Sequence, residues 1–515
     1  MDRGQGAETG QEHRGQMTAL LTQSRWCRGL QCPRMLWLLD HKPELFDDSV
    51  LFPGAPAITR EVKQTAEGLF DNIVRVSGDE QQRAEATQKL LIDGAAVIAD
   101  ASFLYGDCFC SVDFLINHGE EGVDILNVKS ATGVRDVYFD ELAFACYVLE
   151  HCGRKIRRAK LAYLNNQYVR KGRLDPEKLF RIEDHTRHVT GRLARAEEET
   201  GRILAGLKQN TMPQQEISAR CRAPYNCGFF SFCTEGLPSP SVFDLTGTSL
   251  KDKLELYHEG IRSFEELSRC ERLSPAQKQQ VRHALQDISP DIKREEIRAF
   301  LSGLQLPLYF LDFEAFSPAI PMFAETRPYA PVVFQYSLHI LRHCGAQPEH
   351  REYLAQPHGD PRRKLAEALV RDIPKDVTIV VYDASYEKNR IRELAALYPD
   401  LGDHLLNMSS HIADLMVPFA RRMYYTRAME GSASIKKVLP AMFPEEPDLD
   451  YRNLAEVHEG AEASWLFQNM ASMDEGESAR ARDALLKYCG LDTYAMVRIY
   501  EKLLSVIGDA DMGGR

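Results

Sequence analysis

The sequence contains no apolar run approaching the about 20 residues that a membrane-spanning helix needs. Its first sixteen residues are polar and rich in Gly and Gln, which argues against a secretory signal peptide there. Residues 1–19 are expected to form a disordered extension, with Met17 as an alternative start, and 508–515 a short tail. Positive charge is also in short supply. A net charge of −12 argues against a protein coated for bulk nucleic-acid binding, but it leaves room for a local basic groove, because affinity follows the phosphate-facing patch. Repeats of solenoid length are lacking too. Cysteine, by contrast, is plentiful. Twelve thiols in a chain that reads as cytoplasmic point to metal or cluster ligation, or to buried thiols, before disulfides. At 515 residues the chain has room for two or three domains, each with its own core.

The most informative stretch is Leu308–Phe316, Leu-Tyr-Phe-Leu-Asp-Phe-Glu-Ala-Phe. It reads as a buried strand, and residues two apart on a strand project from one face, so Asp312 and Glu314 point the same way. Two like charges in such apolar company are costly unless a cation lies between them. An Asp-x-Glu pair alone is common on exposed strand faces. Asp376–Tyr382 reads as a second buried strand, and Val332–Leu341 is expected to pair beside the first. The second strand leads into Asp383-Ala-Ser-Tyr-Glu387 and a helix through Ile391, Leu394 and Leu397. Asp383 or Ser385 could cap that helix, and Glu387 suits the positive end of its dipole. On a last long helix, Ala481–Ile507, Tyr488 and Asp492 lie four apart and share a face.

In order and spacing these three motifs resemble the DEDDy group of 3′–5′ exonucleases, which have an RNase H-like fold, over Leu301 to Leu504. The resemblance implies that Asp312, Glu314, Glu387 and Asp492 hold two Mg²⁺ or Mn²⁺ ions, with Tyr488 orienting the attacking water. Hard oxygen donors suit those ions, and a metal pair suits both reacting oxygens of a phosphodiester. The middle motif departs from the pattern: Asp383 and Glu387 stand where the family has an asparagine and an aspartate. Asp414 is a further acid, expected to be structural.

The N-terminal half reads as a strand meander over Ala101–Ala131, a helix over Asp140–Glu150 and a strand over Lys160–Leu164. From Thr22 to Glu235 it resembles the RecB-like branch of PD-(D/E)xK nucleases, including the CRISPR-associated and AddB-type members that carry an iron–sulfur cluster. The resemblance assigns Asp113 and Lys129 to the metal-and-water site. Asn127 stands where an acid is expected, and Ala145 where the following helix has a glutamine, so this site reads as impaired. Cys221, Cys227 and Cys233 are evenly spaced in a loop-like segment, and with the remote Cys32 they match the one-plus-three set that holds a [4Fe–4S] cluster in those nucleases. A four-cysteine Zn²⁺ site is the alternative. The remaining cysteines, Cys489 among them, read as core.

The expected fold class is α/β. A RecB-like domain (20–235) precedes a helical bridge (236–300), read as a spacer, and an RNase H-like exonuclease domain (301–507). Phe419–Arg427 and Gly431–Lys437 mix basic and aromatic residues, a pattern suited to single-stranded nucleic acid. Gly153–Arg158 and Val169–Arg173 are basic as well. The expected activity is metal-dependent removal of nucleotides from a 3′ end, with single-stranded DNA as the partner and the N-terminal domain binding it. A 3′–5′ exoribonuclease and a non-catalytic nucleic-acid-binding protein are the alternatives. No membrane association is expected, and the sequence names no protein partner.

Overall fold

The apolar runs of the sequence condense into two main sheets. The computed structural model describes residues 20–52 and 54–508. The expected extension over 1–19 and all but the first residue of the 508–515 tail therefore lie outside the described residues. By its internal contacts the chain forms two units, Met1–Asn165 with Pro176–Phe232, and Asn166–Asp175 with Cys233–Arg515. Both are mixed α/β. Among the described residues, no helix is long and apolar enough to cross a membrane.

In the first unit, strands Ile73–Arg75, Val97–Tyr105, Cys108–Asn117, Val123–Lys129, Ile156–Leu164 and Phe180–Asp184 lie side by side in that order. Val97–Lys129 is an antiparallel meander; the helix Asp136–His151 then crosses over to the parallel strand Ile156–Leu164. The run Leu142–Ala145 on that helix is fully buried, as a helix covering a sheet requires. Trp26 packs on Phe144 with ring centroids 5.4 Å apart, and its indole N–H donates to Thr200 Oγ1 at 3.0 Å, so the polar end of this large side chain is satisfied.

In the second unit the sheet order is Glu349–Leu354, Val332–Leu341, Leu308–Phe316, Thr378–Val381, Ile412–Asp414. The first three strands are antiparallel and the last two run parallel to the Leu308 strand. Alternation on that strand sets its two faces. Leu308, Phe310 and Phe316 pack into the core shared with the C-terminal helix Glu475–Ile507, whereas Tyr309, Leu311 and Phe313 face the helices Arg362–Asp372, Ala384–Leu397 and Pro399–Ser410. Asp312 and Glu314 have the parity of the first set, so they face the C-terminal helix. That helix starts six residues ahead of the sequence expectation, because Asp474 caps it and Glu477 completes a capping box.

The 236–300 stretch is no free spacer. It has its own small core of Val242, Leu245, Leu256, Phe264, Leu267 and Val281, and its short strand Asp291–Ile292 pairs with Tyr424–Tyr425. The second unit also takes in Asn166–Asp175 from the N-terminal half. There the Arg170 guanidinium donates to the carbonyls of Pro321 and Met322 at 2.8 Å each, and Arg170 exchanges backbone hydrogen bonds with Glu325 and Thr326.

Candidate metal centre

Thr378–Val381 follows the Leu308 strand only as far as Phe310, so Asp312 and Glu314 lie past the end of that pairing. On the other side they are held in register opposite Ser337 and Gln335. Asp492 enters from the C-terminal helix. One carboxylate oxygen each from Asp312, Glu314 and Asp492 lies within 4.8 Å of the others. Glu314 and Asp492 are 7% and 9% exposed, and Asp312 is partly buried.

Three carboxylates so placed cannot all ionise cheaply. Burial first, then the charges of Asp492, Glu314 and Glu387, pushes the Asp312 carboxyl well above its ordinary range, and Glu314 is raised in the same way. Burial lifts Asp492 to about 6, against the pull of a hydrogen bond from Tyr451 and the charge of Lys436. Glu387 stands outside the close trio but within its field. It is 3% exposed, its Oε2 has no hydrogen-bond partner, and burial followed by repulsion from Asp383 and Asp414 lifts it to about 8.

The other acids of the middle motif have different duties. Asp383 is exposed, has a left-handed backbone with φ of 68°, and accepts from Ser385 Oγ at 2.7 Å. Asp414 accepts the backbone N–H groups of Asp383, Ala384 and Met416 at 3.1, 3.2 and 2.9 Å, so it organises the start of the Glu387 helix, in keeping with its expected structural role.

Tyr488 is buried, one helical turn before Asp492. Burial and the neighbouring Asp492, Glu314 and Asp312 raise its phenol, which stays protonated. Three neighbours were not assigned from sequence. Tyr451 donates its O–H to Asp492 Oδ1 at 2.6 Å. Lys436 Nζ sits 5.6 and 5.7 Å from the ring centroids of Tyr451 and Tyr488 and donates to the His458 carbonyl at 2.8 Å. Cys489 is fully buried, with Sγ 3.6 Å from Asp312 Oδ2. Lys436 lies in a segment marked as basic, whereas Tyr451, in a single turn of 3₁₀ helix, carried no signal.

One expectation is corrected. Phe419, Met423, Tyr424 and Tyr425 of the basic–aromatic stretch are 1–6% exposed and belong to the hydrophobic core. Their side chains pack against protein and offer no face to a base.

In the first unit, Asp113 Oδ2 accepts the Val128 N–H at 2.6 Å, while Oδ1 forms an ion pair with Lys63. Lys129 pairs with Glu141 of the Asp136–His151 helix, and Tyr225 donates to the same carboxylate at 3.0 Å. Burial pulls the Lys129 ammonium down, but Glu141 and Asp113 outweigh it and hold it above its ordinary value. Asn127 uses its carbonyl oxygen on the Asp113 N–H at 3.3 Å, and Ala145 is core. Glu141 and Lys63 are the residues that sequence reasoning missed here.

Cys32 caps the helix Pro33–His41 and packs in one small cluster with Cys227, Met35, Leu38 and Phe229. The Cys227 N–H donates to the Cys221 carbonyl at 3.0 Å, and Gln31 ties the Arg220 and Tyr225 carbonyls to the same region at 2.6 and 2.7 Å. Three of the four assigned cysteines thus share one neighbourhood of the first unit. Cys233 opens the longer segment of the second unit.

Residues 309–434 match the model of a domain of unknown function, DUF2779. That span holds Asp312, Glu314 and Glu387 but ends before Lys436, Tyr451, Tyr488 and Asp492. The chain is similar to Uncharacterized protein MG366 of Mycoplasma genitalium, at 24% identity over 39% of this chain and 33% of the relative. It is also similar to the MG366 homolog of Mycoplasma pneumoniae, at 26% identity over 37% of this chain and 31% of the relative. The chain spans about a third of the length of these curated relatives.

Proposed function

We propose that the chain is a cytoplasmic, metal-dependent 3′–5′ exonuclease of the DEDDy kind, acting on single-stranded DNA, with a RecB-like N-terminal unit that binds the strand. The observation that carries this reading is the convergence of Asp312, Glu314 and Asp492 from two elements into one buried cluster. The meander followed by two parallel strands supports an RNase H-like sheet for the second unit.

The residues suit a divalent ion. All the donors are hard oxygens, the trio repels itself, and Glu387 holds a buried oxygen without a partner. Two Mg²⁺ or Mn²⁺ ions held by Asp312, Glu314, Glu387 and Asp492 would supply the charge that stabilises the attacking and leaving oxygens of a phosphodiester. The chain's own groups do the rest. Tyr488, kept protonated, donates its O–H to position a water. Tyr451 fixes one Asp492 oxygen and so orients the other. Lys436 adds a cation on the same side, where a phosphate would lie.

In the first unit Asp113 and Lys129 already have partners in Lys63 and Glu141, which favours binding over cleavage there. A [4Fe–4S] cluster, or Zn²⁺, on Cys32, Cys221, Cys227 and Cys233 belongs to the same proposal, supported by the packing of Cys32 with Cys227.

The test uses anaerobically purified full-length protein, assayed for iron and zinc, with Mn²⁺ and 5′-labelled single-stranded DNA or matched RNA. The expected result is a DNA ladder shortening from the 3′ end, lost in Asp492→Asn and kept in Lys129→Ala. Loss in Lys129→Ala alone would move the chemistry to the first unit. Wild-type protein that cleaves neither polymer would overturn the exonuclease reading in favour of a binding protein.

A further inference from the structure

Within the second unit, a cavity of about 610 Å³ opens between the loop Glu325–Pro331 and the later turns of the helix Ala384–Leu397. This is the helix that carries Glu387. Val333 and Leu394 give the cavity an apolar wall, and Arg327, Arg362 and Arg390 give it cationic groups, against Glu325 and Glu393.

The three arginines are not equivalent. Arg362 is satisfied: its guanidinium grips Asp360 at 2.6 and 2.9 Å and the Ala324 carbonyl at 2.8 Å. Arg390 is only 8% exposed and spends Nη2 on Glu393 at 2.7 Å, but its Nε is buried with no hydrogen-bond partner. A buried N–H without an acceptor is a standing demand for one. Arg327 is exposed and makes no ion pair among the described residues. The donors left over are therefore Arg390 Nε and the Arg327 guanidinium.

An aromatic ring stands next to Arg390 of the cavity wall. Tyr386 precedes Glu387 and is 38% exposed. The Arg390 guanidinium lies 5.1 Å from its centroid. The phenol also feels the charges of Glu314, Asp312 and Glu387, so the ring borders the carboxylate cluster.

A flat exposed ring, an apolar wall, one buried guanidinium N–H without an acceptor and one exposed guanidinium together describe a ligand with a planar face and an anionic group. We propose that Tyr386, Arg390 and Arg327 form a nucleotide subsite, in which a base stacks on Tyr386 and its phosphate meets the two arginines. The unit bound would be a nucleotide of the strand other than the one whose phosphate is cut, or a free nucleoside 5′-monophosphate. The assignment of that nucleotide to a strand rests on the exonuclease reading. The subsite itself needs no metal.

The test is therefore made in EDTA on the full chain, by calorimetric titration with dTMP, thymidine and inorganic phosphate. Wild type is expected to bind dTMP at least about tenfold more tightly than either fragment, since stacking and charge both contribute. Tyr386→Ala and Arg327→Gln, both exposed and safe for the fold, should each weaken dTMP by about tenfold, in line with one stacked base. Arg390→Lys should keep part of the affinity that Arg390→Gln loses. In the cleavage assay the losses should fall on KM. Equal binding of inorganic phosphate and dTMP would overturn the nucleotide assignment, as would variants that bind like wild type. If dTMP binds as described but no polymer is cut, the subsite stands and the exonuclease reading falls. If polymer is cut with unchanged KM in all four variants, the reverse holds.

Discussion

Asp492→Asn offers the sharpest test of the acid cluster, because the cluster is a liability without its ions. The amide keeps an Oδ1 to accept from Tyr451 and removes one charge from a trio whose oxygens lie within 4.8 Å of each other. At that distance, with an effective dielectric of about 20, each pair of full charges repels by about 3.5 kcal/mol. Part of this is already relieved by protonation, since Asp492 is lifted to about 6 and Glu387 to about 8. A net gain of about 1–3 kcal/mol for Asp492→Asn in EDTA at pH 8 remains. For a unit of this size that is a rise of several degrees, at about 2–4 °C per kcal/mol. The pH dependence has a definite sign. Folded pKa values above the unfolded ones mean that the native state binds protons more tightly, so the cluster's contribution to wild-type stability in EDTA rises as pH falls from about 8 towards 5. The variant should follow a flatter curve. Mn²⁺ reverses the ranking: at a concentration of about 100 Kd it adds about 2.7 kcal/mol to the wild type and little to the variant. Thermal melts of both proteins, with EDTA and with Mn²⁺, measure all of this. An Asp492→Asn protein less stable than wild type in EDTA would refute the repulsion argument, and equal Mn²⁺ shifts would place the ion elsewhere.

Two further predictions follow from the same surroundings. Tyr451→Phe removes the hydrogen bond that lowers the Asp492 pKa, so Mn²⁺ affinity should fall about tenfold, as expected for a bond to a charged group, with the fold retained; a titration showing unchanged affinity would sink the idea. His339 is bonded to Thr493 at 2.8 Å, and burial, followed by the nearby His350, lowers it to about 4. Its folded pKa lies below the unfolded value, so the stability it contributes is complete above about pH 6.5 and is lost as pH falls towards 4, by about 2–3 kcal/mol. Going from pH 7.5 to 5 should therefore lower the urea midpoint of wild type relative to that of His339→Gln. Parallel pH profiles would rule His339 out as the cause.

The part of the site that lies on regular elements was legible in the sequence. Asp312 and Glu314 could be read because a strand repeats every two residues, and Tyr488 and Asp492 because a helix brings residues four apart together. Tyr451 could not be read this way: it reaches Asp492 from a turn 41 residues away, and no local period encodes that. Cys489 was visible only as an apolar helix position, which it is, although the same position sets it against Asp312. The basic–aromatic stretch misled for a physical reason. Composition reports which groups are present, not which way they face, and Tyr424 and Tyr425 face inward. In the first unit, Asp113 and Lys129 stood out by motif, whereas their partners Lys63 and Glu141 come from helices with no pattern to link them.

The Arg170 contacts bear on how this molecule can be taken apart. Because Asn166–Asp175 belongs to the second unit, the chain passes between units three times, and no single cut in the sequence separates them. A fragment beginning after residue 235 would keep every carboxylate of the acid cluster yet lose the guanidinium that holds the Pro321 and Met322 carbonyls. The loop thus deprived runs on into Glu325 and Arg327, the wall of the proposed nucleotide subsite. The two units are therefore not separable at one point, and expression and engineering must treat the chain as one piece.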